Sequence, residues 1–342
     1  MVVLVVARSG VCGSPTWVPS GVAEQRSHVV VIGASAGGIE ALSAMLGSIA
    51  APLPVPVLVV VHVPTGGGGH LAEILSRSSV MPVTAAVDGA PLTAGEVQVA
   101  VGDRHLEIDA HSIHLTAGPR ANGHRPSVDR LFQSAAVHHG AGVIAVVLSG
   151  MLNDGTAGAH AVRRAGGIVI AQDPGEAAYA SMPRSVVDYV GADHVARAAE
   201  IGPLLEQLIA LDQADAAQQT EPEVQQADTE IDRHVPSQWP CPDCGGVLWT
   251  IDDAQVHELR CRVGHTWWPD ELLELQRAAV EGALWSALRT LEDRAALAQR
   301  LADRSAAEGR PIGARHFEES AVESRRQAAL IRALIEGTAP SR

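Results

Sequence analysis

The chain has 342 residues and a mass of 35.6 kDa, with 46% apolar residues. That excludes a wholly disordered protein and leaves room for one large α/β domain or two smaller units. The formal charge is −14 and all 25 basic residues are arginine, a balance that argues against nucleic-acid binding and against any mechanism built on a Schiff-base or P-loop lysine.

The first seven residues are apolar, but no basic residue precedes them and Arg8 ends the run. A signal peptide has the opposite charge order and a longer apolar core. Residues 1–27 therefore read as a disordered leader, with Cys12 an incidental thiol. No apolar run reaches the roughly 18 residues of a spanning helix, so no membrane insertion and a cytoplasmic location are expected.

From residue 28 the pattern alternates between two periods. Residues 28–32 and 57–61 are continuous apolar runs, expected as buried strands, with helical spacing in 39–46 and 71–75. Residues 97–101, 106–108 and 113–115 read as shorter, partly antiparallel strands. A helix over 128–138, a buried strand over 143–148 and a closing helix over 196–211 follow. The expected fold class is α/β, a doubly wound, mostly parallel sheet spanning residues 28–210.

Residues 211–236 carry a net charge of −6 and almost no large apolar side chains, as an exposed acidic linker would. Residues 237–270 are rich in Trp, Cys and Gly and are expected to form a zinc-ribbon-like unit. Residues 271–338 show apolar side chains three or four apart, from Val280, Leu284, Leu288, Leu291 and Ala295 onward, broken at Gly309-Arg310-Pro311. They predict a helical hairpin.

The segment Ile32-Gly33-Ala34-Ser35-Ala36-Gly37-Gly38 sets Gly-x-Ser-x-Gly between a strand and a helix. A sharp turn there leaves the Ser35 hydroxyl exposed at the carboxyl edge of the sheet, as in a nucleophile elbow. The next helix aims its N-terminal N–H groups at the same spot, and Ala36 N–H is placed to hold an oxyanion. A dinucleotide loop is the competing reading, but it wants glycine where Ser35 stands and an acid at the end of the second strand, where His62 stands instead. His62, at a strand's carboxyl end, is the candidate base, and the other histidines read as structural. Asp154 lies in a glycine-flanked loop after the strand at 143–148, placed to orient an imidazole or simply to cap a helix. Arg125, Ser127 and Asp129 are near enough in pattern to line such a site, although Pro126-Ser127 is also an ordinary helix start.

Together, Ile32 to Gly38, His62-Val63-Pro64, Gly102-Asp103-Arg104-His105-Leu106, His124-Arg125-Pro126-Ser127-Val128-Asp129-Arg130-Leu131-Phe132, Leu148-Ser149-Gly150-Met151-Leu152-Asn153-Asp154-Gly155, Asp173-Pro174 and Met182-Pro183-Arg184 resemble the catalytic domain of the chemotaxis protein-glutamate methylesterases, the CheB family. The resemblance covers about residues 28–210. It implies a serine esterase that needs no cofactor and acts on glutamate γ-methyl esters of methylated chemoreceptor cytoplasmic helices, with glutamine deamidation by the same residues. In it, Ser35 is the nucleophile, His62 the base, Asp154 its partner, and Met151 N–H an oxyanion donor. Ala36 stands where the family often has Thr, and Leu152 where it often has Gly. With only 27 residues before the first strand, the receiver domain common in the family is not expected here. The same chemistry on an ester outside chemotaxis, and a non-catalytic adaptor working through its C-terminal half, stay open.

Cys241-Pro242-Asp243-Cys244 is a knuckle, followed by Cys261 after sixteen residues and His265 after three more. Cys241, Cys244, Cys261 and His265 make a closed Cys₃His set, the pattern of structural zinc. Free thiols in a small core are the alternative, and His257 is a less favoured ligand. Two short strands, 247–251 and 256–259, would bring the knuckles together. Some of Trp239, Trp249, Trp267 and Trp268 must fill so small a core. The unit suits protein contact: a receptor, a methyltransferase, or self-association.

Overall fold

The computed structural model describes residues 28–62, 70–216, 234–253 and 256–338. The expected leader, Cys12 within it, Val63-Pro64 and positions 217–233 of the expected linker lie outside the described residues.

Valine-rich runs without polar alternation suit strands covered on both faces. The first are β1 (Val29–Ala34) and β2 (Val57–Val61), buried along their whole length and joined through α1 (Gly38–Gly47). After β2 come α2 (Leu71–Ser76), β3 (Val83–Ala85), β4 (Val97–Val99) and the hairpin of β5 (His105–Ile108) and β6 (Ile113–Thr116). Then follow α3 (Val128–His139), β7 (Val143–Val147), α4 (Thr156–Arg164), β8 (Ile168–Gln172) and α5 (Ser181–Ser185), which continues into a π-helical turn, Val186–Val190. The unit closes with β9 (His194–Ala196) and α6 (Ala198–Ala216).

Seven strands form one sheet in the order β3-β4-β2-β1-β7-β8-β9, and every pairing in it is parallel. Side chains of β1 alternate between two cores, as the pleat requires. Val30 and Ile32 pack with Leu42, Met45, Leu46, Ile201 and Leu205 on the side of α1 and α6. Val29 and Val31 pack with Val128, Leu131 and Phe132 on the side of α3 and α4. The winding runs from β1 out to β2 and β4, then returns to β7 on the other flank. That reversal makes the carboxyl ends of β2, β1 and β7 the switch point at which doubly wound sheets carry their sites.

Some expectations needed correction in detail. Of the three short runs expected to be partly antiparallel, 106–108 and 113–115 form the antiparallel pair β5–β6, while 97–101 gives β4, parallel to β2 and β3. The edge strand β3 has three residues, two of them exposed, and carries no apolar run that announces it. Helix α6 continues five residues past its expected end, to Ala216.

The C-terminal part begins with an antiparallel four-stranded sheet: β10 (His234–Pro240), β11 (Val247–Asp253), β12 (Val256–Cys261) and β13 (Thr266–Trp267). Helices α7 (Pro269–Ala307) and α8 (Pro311–Thr338) then pack as a hairpin. Pro269 is at the first turn of α7, where a missing N–H costs nothing, and the Asp270 carboxylate favours the positive end of its dipole. The connection turns at Gly309, whose φ of 71° belongs to the left-handed region. The hairpin closes over Leu288, Ala328 and Ile335, with Arg332 paired to Glu292 across it. Val280, at the expected start of the seam, is 61% exposed, as is much of Trp285, Leu297 and Leu330. Of the tryptophans, Trp267 and Trp268 are buried while Trp239 and Trp249 are exposed. Among the described residues no helix is long and apolar enough to cross a membrane.

Candidate functional site

Three strand ends bring the candidate residues together. Ser35 directly follows β1 and is held by its N–H to Ser149 O, 2.9 Å away, just beyond β7. His62 directly follows β2 and donates its N–H to Ala34 O at 3.1 Å. The turn after Ser35 needs Gly37, whose φ is 69° at the start of α1. Close packing needs Gly150, because a Cβ there would sit 2.0 Å from Met182 Sδ and 2.9 Å from Ser35 Cβ.

The side chains form a relay. His62 Nδ1 is 3.2 Å from Ser35 Oγ, and His62 Nε2 is 2.6 Å from Asp154 Oδ2. This is the reverse of the ring orientation in the serine-protease triad, where Nε2 faces the serine. With its proton on Nε2, toward Asp154, the ring leaves Nδ1 free to accept from the Ser35 hydroxyl. Ser35 is half-buried, whereas the Asp154 side chain is 1% exposed.

Asp154 does not cap the helix that follows it; Gly155 holds that place. Its carboxylate sits instead at the N-terminus of α3. Val128 N donates to Oδ2 at 2.8 Å and Asp129 N to Oδ1 at 3.1 Å. The Ser127 hydroxyl donates to Oδ1 at 2.9 Å, and Asn122 Nδ2 to the same oxygen at 3.3 Å. Burial alone would raise the pKa of Asp154, but the His62 hydrogen bond and charge, with the donors of α3, outweigh it and hold the group below the usual carboxylate range. Its neighbour Asp129 goes the other way. Burial, then the charge of Asp154, pushes Asp129 well above its ordinary value. Asp129 accepts from Gly155 N and Gly158 N at 2.9 and 2.7 Å, tying α4 to α3. The two neighbouring carboxyls are thus pushed in opposite directions, Asp154 down and Asp129 up.

Ser127 is at the helix start expected for it, but its hydroxyl serves Asp154 rather than capping α3. Arg125 pairs with Asp103 at 2.7 Å and donates to the carbonyl of Gly118 at 2.9 Å. Two further site residues were not singled out from the sequence. Asn122 bridges Asp154 and Asp129, at 3.3 and 2.9 Å. His124 stacks on His62, with ring centroids 3.8 Å apart and planes 5° from parallel. The Asn122-Gly123 dipeptide was the available signal, since both residues take positive φ, 50° and 71°, in the hairpin turn that carries them.

The two expected oxyanion donors follow β1 and β7, Ala36 next to Ser35 and Met151 next to Gly150. Among the described residues neither Ala36 N–H nor Met151 N–H donates to a backbone or side-chain acceptor. Met151 and Leu152 lie on the exposed rim, 53% and 37% accessible. Leu152 adopts φ of 65°, a region its branched bulk disfavours.

The ribbon gathers the second set. One ligand atom from each of Cys241, Cys244, Cys261 and His265 lies within 4.8 Å of all the others. Cys244 Sγ is 3.6 Å from Cys261 Sγ, and His265 Nδ1 is 3.4 Å from Cys261 Sγ. A tetrahedral zinc with Zn–S of about 2.3 Å wants sulfurs roughly 3.8 Å apart. The three thiols are free of disulfides. Burial raises the Cys261 thiol, yet hydrogen bonds from the backbone and ring of His265 bring it to about 7. His265 Nε2 faces Asp243 at 3.8 Å, the carboxylate that commonly orients a ligating imidazole. The side chain of His257 lies outside the described residues.

Comparison with known proteins covers the α/β unit. Residues 30–205 match the family model described as CheB methylesterase. The protein-glutamate methylesterase/protein-glutamine glutaminase 2 of Methanosarcina mazei is 39% identical over 176 residues, covering 49% of this chain and 48% of that protein. The protein-glutamate methylesterase/protein-glutamine glutaminase of Salmonella typhimurium is 36% identical over 187 residues, covering 53% of each. The chain thus spans about half the length of these relatives. The crystal structure of the Thermotoga maritima CheB methylesterase catalytic domain superposes with a TM-score of 0.52 and 36% identity, covering 53% of this chain and 98% of that one.

Proposed function

The chain belongs to the CheB methylesterase family, and on that premise we propose that it hydrolyses glutamate γ-methyl esters on the cytoplasmic helices of methylated chemoreceptors. The observation that carries the proposal is the hydrogen-bonded series from Ser35 Oγ through His62 to Asp154 at the carboxyl edge of the sheet. The relatives' names support the reaction class, both for the methyl ester and for glutamine.

In this reading Ser35 Oγ attacks the ester carbonyl while His62 Nδ1 takes its proton. The imidazolium that forms is balanced by ionised Asp154, which already sits within 2.6 Å of Nε2. Ala36 N–H and Met151 N–H hold the oxyanion. His62 returns the proton to the leaving methoxide, methanol departs, and a glutamyl ester of Ser35 remains. Water, deprotonated by His62, then releases the glutamate and restores the serine. On a glutamine the leaving group is ammonia and the same residues serve. No cofactor takes part. The reading places the protein in the cytoplasm, where those receptor helices lie.

We also propose that Cys241, Cys244, Cys261 and His265 hold a structural zinc. Four protein ligands leave no open position, so the ion would fold the ribbon rather than take part in ester hydrolysis.

The test is methanol release from methylated receptor cytoplasmic fragments. Wild type should release methanol, and Ser35→Ala should lower the rate by roughly a million-fold, as loss of a nucleophile does. Wild type that releases none, or a Ser35→Ala variant that keeps the rate, would refute the proposal.

A further inference from the structure

The ribbon does not hang free of the α/β unit. It reaches the two loops between which Asp154 is set. Thr266 O, in β13, accepts from Asn122 N at 2.9 Å, and Thr266 forms a parallel bridge with Ala121. The same turn delivers Asn122 to Asp154 and His124 to the face of His62. The turn is backed by Trp267, whose ring lies so close that a Cβ on Gly123 would be 3.4 Å from it. On the other side, Glu271 in the first turn of α7 accepts from Asn153 N at 3.3 Å. Asn153 is the residue before Asp154, and its side-chain oxygen accepts from the Ser185 hydroxyl at 2.5 Å. Glu271 is 2% exposed, and Trp268 packs against Ala157 on α4, which follows the same loop.

We propose that Thr266 and Glu271 are positioning residues for the triad, gripping the Asn122 turn and the Asn153 loop so that Asp154 and His62 keep their reactive geometry. The proposal rests on reading Ser35, His62 and Asp154 as a triad, and not on the identity of the ester. The chemistry of Glu271 fits the role. Its second oxygen, Oε2, is buried without a partner. Burial first, and then the charge of Asp154, raise its pKa to about 8. A neutral Glu271 at physiological pH supports the loop without placing a second negative charge beside Asp154. A loop that carries a catalytic group gains from such fixing, because displacement by an ångström can cost about 100-fold in rate.

The experiment uses the full chain as wild type, Glu271→Gln and Glu271→Ala. The rate of Ser35 modification by a fluorophosphonate is measured over a range of reagent concentrations, and amide hydrogen exchange is followed at Asn122 and Asn153. Glu271→Gln keeps a carbonyl acceptor and no charge, so it should keep the wild-type maximal rate. Glu271→Ala should lower the maximal rate about 10-fold, within the range set by an ångström's displacement. The half-saturating concentration should not change, and exchange at Asn153 should be faster. A maximal rate in Glu271→Ala equal to or above wild type would overturn the proposal. So would an effect on half-saturation alone, an equal loss in both variants, or unchanged exchange. Should Glu271→Ala not fold, Glu271→Asp, one methylene shorter, must slow modification while Glu271→Gln does not. Wild type that is modified at Ser35 but releases no methanol sinks the receptor reading and leaves the positioning role intact. Wild type that is not modified at Ser35 overturns both.

Discussion

Asp154 shows how much of the site's chemistry rests on one carboxylate. It receives the N–H groups of Val128 and Asp129, the Ser127 hydroxyl, the Asn122 amide and the His62 ring. Asp154→Asn places an NH₂ against these donors and invites the wrong imidazole tautomer. It should cost about 10⁴ in kcat with little change in KM, read from steady-state ester hydrolysis. A few residues away, Leu152 holds φ of 65° while exposed. Glycine takes that conformation freely, whereas an L side chain there costs about 1–2 kcal/mol. Leu152→Gly should therefore stabilise the α/β unit, raising its Tm by about 2–8 °C in a thermal melt. Ser35, His62 and Asp154 were legible as residues because each follows an apolar run that could only be a buried strand. Asn122 and His124 were not: Asn122-Gly123 signals a turn, but nothing local shows that the turn folds back over an imidazole.

At the level of elements, α7 begins with a residue whose ionisation sets its grip. Glu271 has a folded pKa of about 8 against an ordinary 4.5, raised by burial and by the charges of Asp154 and Asp270. The folded state therefore holds a proton that the unfolded state has lost between those values. Stability from this contact is fully present below pH 4.5 and declines as pH rises to about 8. Melting of the docked ribbon followed across pH 5 to 8 should show this decline, and Glu271→Gln should flatten it. The sheet elements were largely readable, since β1, β2 and β7 are uninterrupted apolar runs. The edge strand β3 was not, because its three residues gain their place from pairing with β4 rather than from any pattern of their own.

For the molecule as a whole, the ribbon is the part least able to stand on its own core. Its buried cluster is Cys241, Leu248, Leu259, Cys261, Trp267 and Leu272, and two of those are proposed ligands. So small a core needs a staple. The purified chain should carry one zinc, and removing it with a chelator should speed amide exchange throughout β10 to β13. Cys261→Ser should have the same effect without a chelator. Loss of no zinc, or no change in exchange, would show that the thiols are merely packed. Because β13 and α7 touch the loops around Asp154, the ribbon's state and the triad's order belong to one structure rather than two.

The sequence by itself determined the elements whose cause is local. Continuous valine runs made buried strands, Gly33-x-Ser35-x-Gly37 made the turn that presents a serine, and the Cys241, Cys244, Cys261 and His265 spacing made two knuckles that meet. These depend on the sterics of a few neighbouring residues, so they can be read from a few neighbouring residues. Only the tertiary structure decided which groups stabilise Asp154, that burial and the Asp154 charge push Asp129 the other way, and that Glu271 lies against the loop more than a hundred residues earlier. Burial and long-range contact cause those properties, and neither leaves a periodic mark along the chain.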